Sequence, residues 1–267
     1  MLKTNKFFIF LIKDIYLNMN FKYSFLFQFI SPLFFLTIFF FISKYISEIS
    51  DTRGTDYFLF VSLGICMIDI LSNIVGSQAR EVVKMKVSGV IEEIIFLDKN
   101  INSTLIAVSA YSVFVSMIKL IVYIFFISLF NGSFIIPAEN IFLFFMTFFA
   151  LVISFISIGI IAGIYALRFH KIGFIPVGFL VISIVFGSAY FPNEILPNYI
   201  QKISYLTSFS FGIENLRLLL DQNVDVKATL FNIVFILMLS VIYYSIGSIF
   251  LKISITKIKK SGSFGKF

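Results

Sequence analysis

The chain has 267 residues, of which 59% are hydrophobic and only 13% charged, and its mean hydropathy is +1.01. A soluble domain of this length has no core large enough to hide so much apolar surface, whereas lipid accepts it. The net charge of +7 is spread over short segments flanking apolar runs instead of one face, which argues against a nucleic-acid partner.

The first 23 residues mix Phe, Ile, Leu and Tyr with Lys3, Lys6, Lys13 and Asp14. The apolar run Phe7 to Ile12 is too short for a secretory h-region and no small-residue cleavage site follows, so residues 1–23 are expected to form a helix lying in the membrane interface. Six apolar stretches then follow, at about Ser24–Tyr45, Tyr57–Ser77, Leu105–Phe130, Ile141–Tyr165, Ile172–Tyr190 and Ala228–Leu251. About 20 residues of helix cross the hydrocarbon core, and continuous instead of alternating hydrophobicity excludes a barrel. The expectation is an all-α polytopic membrane protein with a six-span domain over 24–251 and a basic tail over 252–267. Tyr23, Tyr45, Tyr57, Tyr165 and Tyr190 fall at span ends, where an interfacial aromatic belt sits.

Fifteen of the 21 Lys and Arg lie on alternate connections: Lys3, Lys6, Lys13 and Lys22; Arg80, Lys84, Lys86 and Lys99; Arg168 and Lys171; and Lys252, Lys257, Lys259, Lys260 and Lys266. Lys44, Arg53, Lys202, Arg217 and Lys227 lie on the other set, and Lys119 lies inside a span. The positive-inside rule then puts both termini in the cytoplasm of a cell-membrane protein.

Between spans two and three, Val87, Val90, Ile91, Ile94 and Ile95 recur at i, i+3, i+4, i+7 and i+8, the stripe of an amphipathic helix. Glu92 and Glu93 fall in its first turns, where acidic groups suit the helix dipole, and Asp98, Lys99 and Asn100 end it. Such a helix either lies on lipid or docks a cytoplasmic partner. Between spans five and six, residues 191–227 are too apolar for a solvated loop and too short for two more crossings. Pro192 and Pro197 break the preceding span, and Ile213, Leu216, Leu219 and Leu220 share a face. Two short helices dipping in from the outer surface fit better than a surface loop, and Glu214 and Arg217 stand at pairing distance, i and i+3.

The run Gly89-Val90-Ile91-Glu92-Glu93-Ile94-Ile95 resembles the G-x-L-E-E-L-L stretch between spans two and three of the membrane subunits of ABC-2 type exporters. Phe191-Pro192 and Leu196-Pro197, followed by Gly212-Ile213-Glu214 and Arg217, resemble that family's segment before the last span, although Thr207-Ser208-Phe209 stands where relatives often have Asn-Pro. Order, topology and length match over nearly the whole chain. The resemblance implies a permease subunit that pairs with a second permease, identical or different. ATP and Mg would be bound by a separate ATP-binding subunit, which would push on Val87, Gly89, Val90, Ile91, Glu92, Glu93 and Ile94. It further implies an extracellular gate around Pro192, Pro197, Glu214 and Arg217, and export of a drug-like or lipid-like amphiphile, with a polysaccharide or lipid-linked glycan as the alternative cargo. Independently of the family, the sequence carries no G-x-x-x-x-G-K-[ST] phosphate loop, so ATP would have to act through another chain.

Asp69 and Lys119 lie in spans two and three, about twelve and eleven residues from the outer ends. Charges at such depth cost roughly 2.5–3.5 kcal/mol each on insertion scales, and two at equal depth on neighbouring helices can pair or can separately face water. Asp69 also supports a rival reading, an ion-coupled secondary transporter or channel. Gly159 and Gly163, with Ala162 and Ala166, form a G-x-x-x-G face suited to close helix packing. A single His170, no H-E-x-x-H and no second intramembrane acid leave neither a metal site nor an acid–base pair, and the chain reads as a non-catalytic subunit without a cofactor of its own.

Overall fold

The computed structural model describes residues 6–19, 22–50, 54–97, 101–132, 136–169, 174–204, 207–220 and 224–261. Asp98–Asn100, His170, Lys171 and Lys266 lie outside the described residues, as does the side chain of Glu92. The described elements are all helical: α1 (Lys6–Met19), α2 (Lys22–Ser50), α3 (Gly54–Val87), α4 (Val90–Leu97), α5 (Ile101–Val108), α6 (Ala110–Asn131), α7 (Ile141–Phe169), α8 (Phe174–Phe186), α9 (Asn198–Ser204), α10 (Ser208–Leu218) and α11 (Val226–Ser261), with short 3₁₀ turns at Ala138–Asn140 and Asn193–Ile195.

Among the described residues, five stretches are long and apolar enough to cross a membrane: Leu26–Ile46, Tyr57–Val87, Ile101–Asn131, Ala138–Phe169 and Val226–Thr256. Five of the six expected stretches are thus long helices, and the fifth, the shortest in the sequence, is shorter still among the described residues. Its helix, α8, has 13 residues, about 20 Å at 1.5 Å per residue against a core of about 30 Å. The chain leaves the helix at Gly187, and Ser188 takes a left-handed φ of 55°. What stops α8 is tertiary contact. A Cβ on Gly187 would stand 2.3 Å from the Phe209 ring of α10, and a Cβ on Gly64 of α3 would stand 2.0 Å from the Ala189 carbonyl oxygen. The irregular backbone after α8 is thus clamped between two helices, which is where non-helical chain is tolerated at membrane depth.

Other boundaries shift for local reasons. The helix of span two continues past Ser77 to Val87, and α11 runs through the expected boundary at Leu251 to Ser261. Span three is bent at Ser109, whose hydroxyl and amide both return to the Ile106 carbonyl.

α3 and α7 form the centre of the bundle, with α11 against α7 and α2 and α6 against α3. The main apolar core lies between them and includes Leu71, Ile74, Tyr123, Phe148, Phe155 and Phe209. A second core, around Val82, Ile91, Ile95, Leu105, Ile164 and Leu251, holds the end of the bundle that carries Lys13, Lys84 and Lys86, here termed the basic end. α1 packs there on α5 and α6 and keeps Phe8, Ile9, Ile12 and Leu17 exposed, as a helix half-sunk in an interface would. α2 shows Phe27, Phe34, Phe35 and Phe41 to its surroundings, the surface expected of a lipid-facing helix.

The two glycines of the G-x-x-x-G face meet α3 of the same chain. A Cβ on Gly159 would lie 2.6 Å from the Gln78 side-chain oxygen, and one on Gly163 would lie 3.3 Å from Val82. The motif brings α3 and α7 together within one subunit.

The clamp at the end of α8 makes a prediction. Gly64→Ala drives a methyl group into a backbone carbonyl that has no flexible end to move aside, and is expected to destabilise by about 1–3 kcal/mol, as overpacking does. Gly178→Ala, in open space on α8, is expected to be neutral or to stabilise by up to about 1 kcal/mol through helix propensity. Thermal unfolding midpoints in detergent measure both.

Candidate functional site

Three constellations hold the candidate residues, one at each end of the bundle and one at mid-depth.

At the basic end, α3 stops and α4 starts across Ser88 and Gly89. Gly89 has φ 74°, a left-handed conformation that glycine adopts without penalty, and a Cβ there would meet nothing within 4 Å. The sharp turn redistributes the expected stripe. Ile91 and Ile95 are buried in the second core, which also holds Val82 and Met85 of α3, Ile160, Ile164 and Leu167 of α7 and Leu251 of α11, and Ile94 packs against that core. Val87 is the last residue of α3, 84% exposed, and not part of the α4 face; Val90 is 43% exposed and Glu93 is exposed. α4 is therefore rooted by two isoleucines and presents an apolar tip to the outside. Lys86 fastens the corner by donating to the Leu167 carbonyl at 2.9 Å.

At mid-depth, Lys119 Nζ lies 2.7 Å from Asp69 Oδ2, and Tyr123 Oη donates to the same oxygen at 2.6 Å. Lys119 is buried, while 26% of the Asp69 side chain stays accessible. The cation and the phenol sit one turn apart on α6, so one helix face supplies two donors to one carboxylate. Desolvating the ammonium is costly, and a charge-assisted contact at this distance offsets it. The polar character continues along both helices. Asn73, one turn from Asp69, donates its amide to the Ser112 carbonyl and to Ser116 Oγ, each at 3.3 Å. On α3 the row runs Asp69, Asn73, Ser77, Arg80 and Lys84, and α6 answers with Ser112, Ser116, Lys119 and Tyr123.

This row ends at the basic end in a charged cluster. Lys13 of α1 lies 3.4 Å from Asp14 and 3.5 Å from Glu81, and Lys84 pairs with Glu81. Burial pushes the Asp14 carboxyl above the usual carboxylate range; Lys13 opposes that shift and Glu81 adds to it.

At the far end, α10 stands inside the bundle, antiparallel to α7. Asn140, Thr147 and Ser154, seven residues apart, meet the Leu219 carbonyl (3.2 Å), the Asn215 amide (3.0 Å) and Ser208 Oγ (2.6 Å). Ser208 is thereby level with the middle of α7, about 21 Å of helix rise from Asn140. Thr207 caps the start of α10 by accepting from the Ser210 amide, and Asn193, in the 3₁₀ turn after Pro192, reaches Ser210 Oγ at 3.1 Å. Arg217 sends Nε and Nη2 to the Phe60 carbonyl (3.2 and 2.8 Å) and Nη2 also to the Ala189 carbonyl (3.2 Å), with its guanidinium 3.4 Å from the centre of the Phe60 ring. The sequence offered Glu214 as the partner of Arg217; its charge acts on the guanidinium, while the N–H groups of the fork go to the carbonyl groups of α3 and of the broken span. Pro192 and Pro197 flank the 3₁₀ turn at Asn193–Ile195, and Glu214 is exposed on α10.

Gly159 and Gly163 belong to the α3–α7 contact described above. Sequence reasoning singled out Asp69 and Lys119 but missed Tyr123, Asn73, Ser112 and Ser116. Reading every fourth residue from Asp69 along α3 finds Asn73 and Ser77; the three residues on α6 need the tertiary contact. Among the described residues no group of three His, Cys, Asp or Glu side chains is placed to hold a metal ion. Comparison with known proteins matches no family model and no curated protein.

Both polar constellations, at mid-depth and at the far end, set expected outcomes. Asp69→Asn leaves a buried ammonium without its anion and is expected to lower stability by about 3–5 kcal/mol, while the reversed pair Asp69→Lys with Lys119→Asp recovers part of it. Tyr123→Phe, which removes one charge-assisted bond, is expected to cost about 1.5–3 kcal/mol. Arg217→Ala leaves two buried carbonyl groups to find new partners, at about 1–3 kcal/mol each, and Arg217→Lys, lacking the fork, restores less than half. Unfolding midpoints of the purified variants, set against the wild-type protein, check each value.

Proposed function

We propose that this chain is the membrane-spanning permease subunit of an ATP-driven exporter of the ABC-2 type, with the basic end in the cytoplasm. The feature that carries this reading is the build of α4: a short helix rooted in the core by Ile91 and Ile95, hinged at Gly89, with Val87 and Val90 exposed at its tip. An ATP-binding subunit gripping Val87–Ile94 would hold a lever packed on the end of α3 and rooted in a core that α7 and α11 share. ATP and Mg belong to that partner. A second copy of this permease, or a related one, would complete the pathway, and lipid would cover the exposed apolar faces of α1 and α2.

The far end supports the same reading. α10 reaches from that surface to mid-depth and is fastened by Arg217 to α3 and to the chain after α8. A plug of this kind, held by hydrogen bonds instead of a continuous span, can serve as the outer gate of a transport path. The cargo we propose is a drug-like or lipid-like amphiphile, since the helices around the path are apolar and aromatic. The rival reading, ion coupling through Asp69, is weakened by the two donors already on its Oδ2 atom.

The decisive experiment pairs this chain with a candidate ATP-binding subunit in proteoliposomes. The pair is expected to hydrolyse ATP and move cargo outward; Val87→Asp with Val90→Asp is expected to abolish complex formation and transport at an unchanged unfolding midpoint, because both tips are exposed. Concentrative transport by the purified chain alone would overturn the proposal.

A further inference from the structure

We infer that a water-filled cleft opens at the basic end, between α1, α2, α3 and α6, and runs along the polar row of α3 as far as Asp69. The inference goes beyond the exporter reading and does not depend on it.

The mouth of the cleft is a cavity of about 130 Å³ lined by Asp14, Gln28, Asn73, Ser77, Tyr111 and Ser112, together with the charged side chains Arg80, Glu81 and Lys84. That space has room for several waters. The lining is what waters need: carboxylates, amides and hydroxyl groups from four helices, converging at a depth where apolar residues would be the ordinary choice. Tyr111 Oη is buried on this wall with no hydrogen-bond partner among the described residues, and a buried hydroxyl without a partner costs about 1–3 kcal/mol unless water meets it. Gly76 contributes by absence: a Cβ there would stand 2.9 Å from Arg80 Nη1, so the guanidinium folds back over the glycine, toward Asp69 instead of away from the membrane.

Beyond the mouth, the row Ser77, Asn73, Asp69 climbs α3 one turn at a time, facing Ser112, Ser116 and Lys119 on α6. Eight residues separate Ser77 from Asp69, about 12 Å of rise. The accessible quarter of Asp69 is where the row ends. Past it, Phe40, Phe58, Phe126 and Phe130 touch ring to ring across α2, α3 and α6 and close the groove toward the far end. The cleft is therefore open on one side and sealed by aromatic rings on the other. It takes water, and by size and lining small hydrophilic solutes with it.

Cysteine reactivity in sealed vesicles tests this with the chain alone and no ATP, so failure of the exporter reading leaves the assay intact. In a Cys66→Ala background, Ser77→Cys and Ser112→Cys are treated with a membrane-impermeant trimethylammonium methanethiosulfonate added to either side. Ser88→Cys marks the basic end, Lys227→Cys the far end, and Ile74→Cys, buried in the apolar core on the same helix, marks a dry position. Because the thiolate is the reacting species, the two cleft thiols are expected to react at least about tenfold faster than Ile74→Cys, and from the side that labels Ser88→Cys. Reaction no faster than Ile74→Cys, or from the side that labels Lys227→Cys, overturns the cleft. A wild-type measurement guards against misfolded variants: hydroxyl-radical footprinting, whose oxidant comes from local water, is expected to modify Tyr111 ahead of Phe148, and equal modification overturns the inference as well.

Discussion

In hydrocarbon, a backbone carbonyl group that finds no donor inside the protein finds none at all, and the architecture of this chain turns on how one such group is met. The Ala189 carbonyl sits where span five has stopped being a helix. It accepts from Arg217, and the same guanidinium holds Phe60 on α3. A lysine would bring one point charge; the planar fork reaches two carbonyl groups on separate segments at once and still lies over an aromatic face. With that contact made, α8 can end halfway, the chain can turn at Ser188, and α10 can occupy the volume a full fifth span would fill. Gly64, Gly187 and Gly212 are the consequence on the packing side, since each faces a neighbour too close for a side chain.

The same constraint governs the middle of the bundle, with charge in place of backbone. Lys119 could not remain in its buried position alone. Asp69 answers it from α3, Tyr123, one turn from Lys119 on α6, donates to the same carboxylate oxygen, and Asn73 with Ser112 and Ser116 extends the polar contact toward the basic end. Along the α3–α6 boundary, polar side chains line the stretch from mid-depth to the basic end, and aromatic rings take over toward the far end. The two halves of that boundary therefore have opposite relations to water, although they belong to the same pair of helices.

How much of this was legible in the sequence depends on whether periodicity or tertiary contact decides the feature. The long apolar helices were legible, because hydrocarbon leaves the backbone no alternative to helix. The level placement of Asp69 and Lys119 was legible too, since equal counts from the same membrane face put residues of antiparallel neighbours side by side. The length of α8 was not. Gly187 and Ser188 directly follow Phe186, but a glycine in an apolar stretch is a weak stop signal on its own; the contacts that hold the chain there come from Gly64 and Phe209, which are remote in sequence. Val87 illustrates a smaller loss. Its spacing to Val90 and Ile91 is helical, yet Gly89 takes a left-handed conformation and assigns Val87 to a different helix. Tyr123 escaped notice because a tyrosine in a span reads as one more aromatic until its hydroxyl is seen to meet a carboxylate.

α3 is the member that joins these solutions. Phe60 receives Arg217 near its start, Asp69 and Asn73 hold α6 at its middle, Gln78 and Val82 seat Gly159 and Gly163 of α7, and Val82 and Met85 close over α4 at its end. Among these contacts the seat of Gln78 is the least settled: both side-chain amide atoms are buried against Gly159 without a hydrogen-bond partner among the described residues. A glycine at that point lets the helices approach but offers the amide nothing to bond. A buried ion pair fixes α3 to α6 at mid-depth, whereas α3 meets α7 through apolar contact, an unanswered amide and, at the basic end, the Lys86 bond to the Leu167 carbonyl. The physical consequence is unequal resistance. Moving α3 and α6 apart would strip a buried ammonium of its only described anion, a cost that parting α3 from α7 does not carry.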